Sequence, residues 1–388
     1  MTDLKKILVI GIGIAGPAVC YWLKKYGYSP TLVEKYDSIR KGGQAVDIRG
    51  VGVGLVKKMG IYEQICNKRT QVELGRYVDA EGNTLHEEHG ERFGFRQEDE
   101  VEILRGDLVE ILVKTIEDVP CYFDQSIDNI TQNDDDATVY FKDGRTEHYD
   151  LVIGADGIYS SVRRMMFAEN EYQLVNLGAY LCVFNIPNYL HLTRTEILHE
   201  SNEKLASITS YGDSIDALVG LMFRSQHVLK NVRDKNEQKQ FLRDTYRDFG
   251  WESQKLLDLI PDSDDFYFDA ITQVKMNSWT KGRVALLGDA GYCASPLSGQ
   301  GTDLALVGAY ILAGELKAAD GDHVRAFKRY NELLRPFVES NQQFGVWVSD
   351  SFLSADPVSK EGAEERSNKI LQMMKDVCNG ITLLEYDS

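Results

Sequence analysis

The sequence predicts an α/β fold organised around a parallel sheet, and three stretches carry that expectation. The first, "KKILVIGIGIAGPAVCYWLKKYGYSPTLVEK", passes from a continuous β-branched run to a helical apolar face and back to a short apolar run. The other two are "YDLVIGADGIYSSVR" (149–163) and "GRVALLGDAGYCASPLSGQGTDLALVGAYILAGEL" (282–316). Each places a short apolar run before an Asp-Gly or Gly-Asp turn and a helix. Continuous apolar runs suit parallel strands covered on both faces. At 388 residues the chain exceeds one average core, so one large or two intimately joined domains are expected.

Residues 7–23 are 17 consecutive uncharged positions between lysines, which raises a membrane anchor or secretory signal as an alternative. A spanning helix needs about 20 apolar residues, and Gly11, Gly13, Gly16 and Pro17 interrupt this run. "KILVIG" reads instead as a buried strand. "GPAVCYWLKKYG" reads as a helix with Val19, Leu23 and Tyr26 on one face and Gly27 as its stop. "SPTLVEK" follows as a second strand.

Gly11, Gly13 and Gly16 fall where strand becomes helix, in the order G-x-G-x-x-G. The first glycine permits the tight turn, the second lets a pyrophosphate approach the backbone, and the third allows close packing of helix on strand. The helix opening at Ala15 presents free N–H groups and a positive dipole end to phosphates. Glu34, 18 residues after Gly16 and followed by Lys35, ends the second strand, where a carboxylate accepts ribose hydroxyls. Glu34 would repel a 2′-phosphate, so the nucleotide held here is FAD or NAD; this cradle alone leaves the two open.

The later motifs separate them. Strands often end in Gly and Asp because turns need those residues, but Asp156-Gly157 and Gly288-Asp289 occur jointly behind the first cradle. A carboxylate at a strand end suits the ribityl hydroxyls of a flavin. The glycines of "SGQG", Gly299 and Gly301, let backbone amides approach an isoalloxazine edge. The helix beginning near Thr302 would aim its positive end at flavin N1–C2=O.

With these motifs in this order, the chain resembles the aromatic-hydroxylase-like class A FAD-dependent monooxygenases over roughly residues 5–340. The resemblance implies a discontinuous Rossmann-type, hydroxylase-like FAD domain (1–75, 101–172 and 272–320) and an inserted β-sheet substrate domain (76–100 and 173–271). C-terminal bridging and lid helices would fill 321–388. NADPH or NADH would act as a transient reductant without a Rossmann site of its own, and O2 as co-substrate. "RGVGVGLVKKMG" (49–60) has the wrong glycine spacing for a second cradle. The resemblance also sets Arg40, Gly43, Gln44 and Asp47 of "SIRKGGQAVDIRG" along the flavin, and Pro296 in the glycine loop. Arg105 falls at the pyrophosphate region, with a surface ion pair to Asp107 or Glu102 as the alternative.

The strings "GGQAVDIRG", "FGFRQEDEVEILRGDLVEIL", "FDAITQVKMNSWTKGRVALLGDA" and "SPLSGQG" are similar to the tetracycline-inactivating branch, the tetracycline destructases. So is a tail helix over 358–380, in which Ile370, Met373, Met374 and Val377 form a stripe and Gly380 stops it. Such a helix covers the substrate entrance in that branch; docking on the core is the plainer reading. The likeness implies oxygenation of an electron-rich enol or phenolate carbon of a tetracycline through a C4a-hydroperoxyflavin, and hence antibiotic resistance. The flavin carries the chemistry and no catalytic side chain is assigned. Substrate contacts do not transfer residue by residue. "AYLCVFNIPNY" and "ALVGLMFRS" are the expected pocket strands, with Phe95, Phe184, Met222, Phe223 and Arg224 as candidate lining. A monooxygenase of another phenol or aromatic polyketide, a flavin-linked reductase, and an NAD-dependent dehydrogenase using only the first cradle stay open.

Composition narrows the partners. A net charge of −17 without a basic cluster argues against nucleic-acid or anionic-membrane binding. Six scattered cysteines without a C-x-x-C pair read as free thiols in a reducing cytoplasm. His86 and His89 in "LHEEHGE" lack H-E-x-x-H spacing and sit in a polar hairpin rim, so no metal site is expected. A cytoplasmic, monomeric enzyme is the expectation.

Overall fold

The computed structural model describes residues 5–39, 43–90, 94–97, 99–212, 214–227, 234–261, 266–352 and 360–386. Strand Lys6–Ile10 is buried at four of its five positions and lies near the middle of a six-stranded sheet. It pairs in parallel with Ser29–Val33 on one side and Leu151–Gly154 on the other, in registers Leu8↔Thr31 and Leu8↔Val152. Val284–Leu286 adds in parallel to Leu151–Gly154, then forms an antiparallel edge with Thr280–Lys281; Cys121–Tyr122 closes the opposite edge. The strands preceding all three motifs are therefore neighbours. The first of them sits where the strand order reverses, the crevice at which open α/β sheets bind ligands.

Helices Ala15–Lys25 and Gly301–Ala318 pack on this sheet and on each other, with the Trp22 and Tyr310 rings 4.8 Å apart. The second is buried continuously from Thr302 to Leu316, which explains its apolar character on every face. A three-stranded antiparallel sheet (Ile127–Gln132, Ala137–Phe141, Thr146–Tyr149) joins the same core.

A seven-stranded sheet forms the second layer, in the order Tyr267–Met276, Tyr172–Pro187, Asp216–Arg224, Lys204–Thr209, Thr195–Ser201, Leu74–Val78, Thr84–His89. Its back packs an aromatic core against helices Lys235–Tyr246 and Ser253–Asp258. Its front supplies Leu181, Leu205 and Met222 to a smaller cluster with Leu297 and with Ile370, Met374 and Val377 of helix Lys360–Cys378. Strand Tyr267–Met276 straddles the boundary expected at 271/272: Phe268 lies in the aromatic core, whereas Val274 and Met276 lie in the core of the parallel sheet. The two sheets are thus joined by continuous strands, not by a linker.

The thirty-residue helix His323–Phe352 runs along both layers. Beyond the last helix, 381–386 lie on helix Gly301–Ala318. Tyr310 Oη donates to Leu384 O (2.8 Å), and Tyr386 Oη donates to the buried Glu315 (2.6 Å). Among the described residues, no helix is long and apolar enough to cross a membrane. Tyr386→Phe, which strips Glu315 of that donor, is expected to lower stability by about 1–3 kcal/mol, read as an earlier urea midpoint with an unchanged slope.

Candidate active site

The turn after strand Lys6–Ile10 is held by approaches that only glycine permits. Gly11 has φ +110°, and a Cβ there would lie 2.5 Å from Ala155 O. A Cβ on Gly16 would lie 1.9 Å from Gly11 O. Helix Ala15–Lys25 therefore starts directly on the turn, with first-turn N–H groups that have no helical partner. Glu34, buried at the end of its strand, braces this turn by accepting from Ile12 N (2.9 Å) and Tyr36 N (3.1 Å). Each carboxylate oxygen accepts two hydrogen bonds, so capacity for ribose hydroxyls remains. Lys35 is exposed, its ammonium 4.9 Å from the Tyr36 ring.

Arg105 opens helix Arg105–Lys114 and donates its N–H to Gln44 O (3.1 Å). Its Cβ is 3.9 Å from where Gly43 would carry one, and its Nη2 is 3.3 Å from the corresponding point on Gly13. The guanidinium thus stands over the glycine turn. Both alternative partners are engaged elsewhere, Asp107 with Lys68 (2.5 Å) and Glu102 with Arg96 (3.3 Å).

Gly288 (φ +64°) brings the third motif to the same place: a Cβ there would lie 3.2 Å from Ala15 Cβ and 3.7 Å from Ala305 Cβ. Asp289 opens the one-turn helix Asp289–Tyr292 and is exposed, whereas its neighbours on both sides are buried. Its surroundings raise its carboxyl above the ordinary range by desolvation, against the opposing pull of Cys293 and Arg105. Asp156 behaves differently. It turns back on its own segment and accepts from Ser160 Oγ (2.5 Å), Ser161 N (2.6 Å), Ser161 Oγ (2.8 Å) and Val162 N (3.3 Å), capping helix Ser161–Met166. Gly157 takes φ +79° in that turn. Of the two strand-end carboxylates, Asp289 is the open one.

The loop after Asp289 runs through buried Ser295 (φ +79°), exposed Pro296 and Gly299 (φ +62°) into Gly301 and buried Thr302. A Cβ on Gly299 would lie 3.3 Å from Met374 Cε, so the last helix leans directly on this loop. Backbone amides at two helix N-termini, a guanidinium and an accessible carboxylate converge here. This donor set fits FAD: amides and a guanidinium are what its phosphates would need, and carboxylates what its polyol hydroxyls would need.

Sequence reasoning missed an ion network beneath this loop. Fully buried Asp303 accepts Arg49 N on both oxygens (3.2 Å each). The Arg49 guanidinium meets Asp47 (2.8 Å) and Glu100 (3.3 Å) and donates to Phe95 O (2.6 Å) and Gly94 O (2.8 Å). Arg96 pairs with Asp47 and Glu102 (3.3 Å each). Asp47, expected along the flavin, is therefore drawn into ion pairs. The readable signal was a carboxylate inside the apolar "TDLALVGAYILAGEL". Glu196, on the front of strand Thr195–Ser201, was also missed. Burial, then Glu102, pushes its carboxyl up to about 7 against hydrogen bonds from Ser207 and Thr209.

The expected substrate residues divide. Phe95 and Met222 join the front cluster beside the glycine loop and the last helix. Phe184 and Phe223 do not: both are fully buried in the aromatic core behind the sheet, where Phe223 stacks on Tyr180 at 5.4 Å. Strand side chains alternate faces, so Met222 at the front sends Phe223 to the back. Arg224 returns to the front but donates to Ser349 and meets Asp350 (3.2 Å), joining the sheet to the long helix. Arg40 lies outside the described residues. His86 stacks on Tyr77, ring centroids 4.0 Å apart.

A cleft so furnished, at the switch point of a parallel sheet, defines an FAD-dependent oxidoreductase. The chain belongs to the FAD-binding-domain family, whose model matches residues 5–344, and within it to the flavin-dependent monooxygenases. It is 68% identical over 383 residues to a flavin-dependent monooxygenase of Legionella longbeachae, covering 99% of this chain and 98% of the relative. It is 38% identical over 364 residues to the uncharacterized protein Rv1260 of Mycobacterium tuberculosis, covering 93% and 97%. Among solved structures it is similar to tetracycline destructase Tet(55), with 60% identity, a TM-score of 0.94 and full coverage of both chains. Similarity to tetracycline destructase Tet(51) is comparable: 63% identity, TM-score 0.91, 99% of this chain and 100% of that one.

Gly16→Val should give a colourless protein lacking the visible flavin spectrum, because the side chain cannot coexist with the Gly11 carbonyl. Glu196 gives a pH signature. Its folded pKa lies above the unfolded value, so its contribution to stability is complete below about 4.5 and falls as pH rises towards about 7. Denaturant titrations of Glu196→Gln should show a shallower loss of stability than the parent across that window.

Proposed function

We propose that this monooxygenase uses NADPH or NADH and O2 to oxygenate tetracyclines, conferring tetracycline resistance as a cytoplasmic monomer. The observation that carries this reading is the front cleft itself. Helix Lys360–Cys378 closes it through Ile370, Met374 and Val377 against the glycine loop and the seven-stranded sheet. Likeness to the two tetracycline destructase structures extends over this helix as well as the cradle.

Bound FAD, reduced by nicotinamide, supplies the oxygen-activating chemistry. The chain holds and surrounds it. The amides at Gly11–Gly16 and Arg105 take the pyrophosphate, Glu34 the ribose, and Asp289 the ribityl chain. The N-terminus of helix Gly301–Ala318 favours negative charge at the ring edge. Residues 1–75, 101–172 and 272–320 serve as the FAD unit, and 76–100 with 173–271 as the substrate unit. Leu181, Leu205, Met222 and Phe95 form the apolar floor on which a fused-ring substrate rests, and the last helix excludes water from the reacting face.

The test is mass spectrometry of tetracycline incubated with the yellow protein, NADPH and isotopically labelled O2. The expected outcome is a product carrying one labelled oxygen atom and tetracycline-stimulated NADPH consumption. Unmodified tetracycline with no stimulation overturns the reading; stimulation by simple phenols in its place points to another aromatic substrate.

A further inference from the structure

Three of the eight methionines, Met222, Met373 and Met374, gather in the front cluster, although thioethers are readily oxidised and this cleft serves an enzyme that handles O2. Met374 stands against the cofactor cradle. Its Cε lies 3.3 Å from where Gly299 would carry a Cβ, and its Sδ accepts from Gln300 Nε2 at 3.5 Å. The sulfur is thereby held at the N-terminus of helix Gly301–Ala318. Gln300 is fully buried, and its Oε1 has no hydrogen-bond partner among the described residues. Buried amide oxygens are ordinarily paired. One amide group thus holds the sulfur with its nitrogen and offers an acceptor for an O–H group with its oxygen. Met374 itself is only 7% exposed, whereas Met165 and Met166, on helix Ser161–Met166, are half-buried.

We propose that Met374 is a self-oxidation site, at which hydrogen peroxide formed in the cleft when no substrate is present converts the thioether to the sulfoxide. Two electrons and two protons pass from the reduced cofactor to O2, giving the oxidised cofactor and one hydrogen peroxide. The peroxide donates one O–H to Gln300 Oε1 and turns its other oxygen to Met374 Sδ. A sulfur lone pair attacks that oxygen and the O–O bond breaks. The proton on the transferred oxygen moves to the departing hydroxide, so the products are sulfoxide and water. Sulfur loses two electrons and the peroxide gains them. The sulfoxide is polar, yet Met374 shares an apolar cluster with Leu297, Ile370 and Val377. Oxidation therefore weakens the contact between the last helix and the glycine loop. The inference rests on the chain being a flavin monooxygenase, not on which substrate it oxygenates or which dinucleotide reduces it.

The test cycles the holoenzyme with neither tetracycline nor nicotinamide present, so that failure of the tetracycline reading leaves it intact. The flavin is photoreduced with EDTA under nitrogen, the light is switched off, air is admitted, and the cycle is repeated before methionine sulfoxide is mapped by peptide mass spectrometry. Met374 should gain oxygen roughly fivefold ahead of Met165 and Met166, and catalase in the buffer should not protect it. Hydrogen peroxide added to the resting enzyme should reverse that order, because the half-buried thioethers are then reached first. A Met374 that stays unoxidised, or that catalase protects, overturns the proposal. So does the same order under added peroxide, which would make the selectivity a property of the thioether and not of where the peroxide forms. The urea midpoint of the parent should fall on cycling, whereas Met374→Leu, which keeps an apolar chain of similar volume, should hold its own; an equal fall in both overturns the weakening of the helix contact.

Discussion

The approach of the Gly16 backbone to the Gly11 carbonyl, and of Gly11 to Ala155, governs how the rest of the molecule is placed. Any side chain at Gly16 would sit 1.9 Å from that carbonyl. With no side chain in the way, the first helix begins where its strand ends and the neighbouring strand end stays in contact. Gly288 extends the same close packing to the third motif through Ala15 and Ala305. Small residues at one point gather a turn, two helix N-termini and a strand-end carboxylate around one cleft. Anion-favouring dipoles thereby accumulate around that cleft.

A second constraint is electrostatic. Asp47, Glu100, Glu102 and Asp303 outnumber Arg49 and Arg96 in the network under the glycine loop. Desolvation accordingly pushes Asp303 and Glu102 upward, with the arginines opposing. Buried ion pairs are poor sources of net stability, yet breaking one leaves an uncompensated charge. Their effect here is positional. Arg49 fixes the backbone of residues 94–95, and with it Phe95, against the helix that carries Asp303. The segment carrying Phe95 and the helix carrying Asp303 are thereby held in one register.

The last helix belongs to both sides. Its stripe packs on the glycine loop and the sheet, Arg366 pairs with Glu200 of the sheet at 3.1 Å, and Gly50 receives Cys378 at its other end. Covering the cleft and docking on the core are the same contacts. Separating a helix so engaged from the sheet would cost apolar burial and a largely buried ion pair together.

By itself the sequence determined the cradle. Its period changes from strand to helix to strand, its glycines sit at the turn, and Glu34 follows at the right distance; these are local, short-range properties. The strands before Asp156 and Asp289, the buried helix after Thr302 and the stripe of the last helix were legible for the same reason. Only the tertiary structure decided which carboxylate stays open. Asp156 and Asp289 look alike in sequence, but serines and amides a few residues on claim the first. It also decided which face each pocket strand turns to the cleft. Both faces of the seven-stranded sheet are covered, so Met222 and Phe223 are equally apolar signals, and only the fold sends one to the cleft and the other behind it. The ion network stayed hidden because Arg49, Arg96 and Asp303 come from separate segments, and no spacing along the chain records charges that meet only when the layers close.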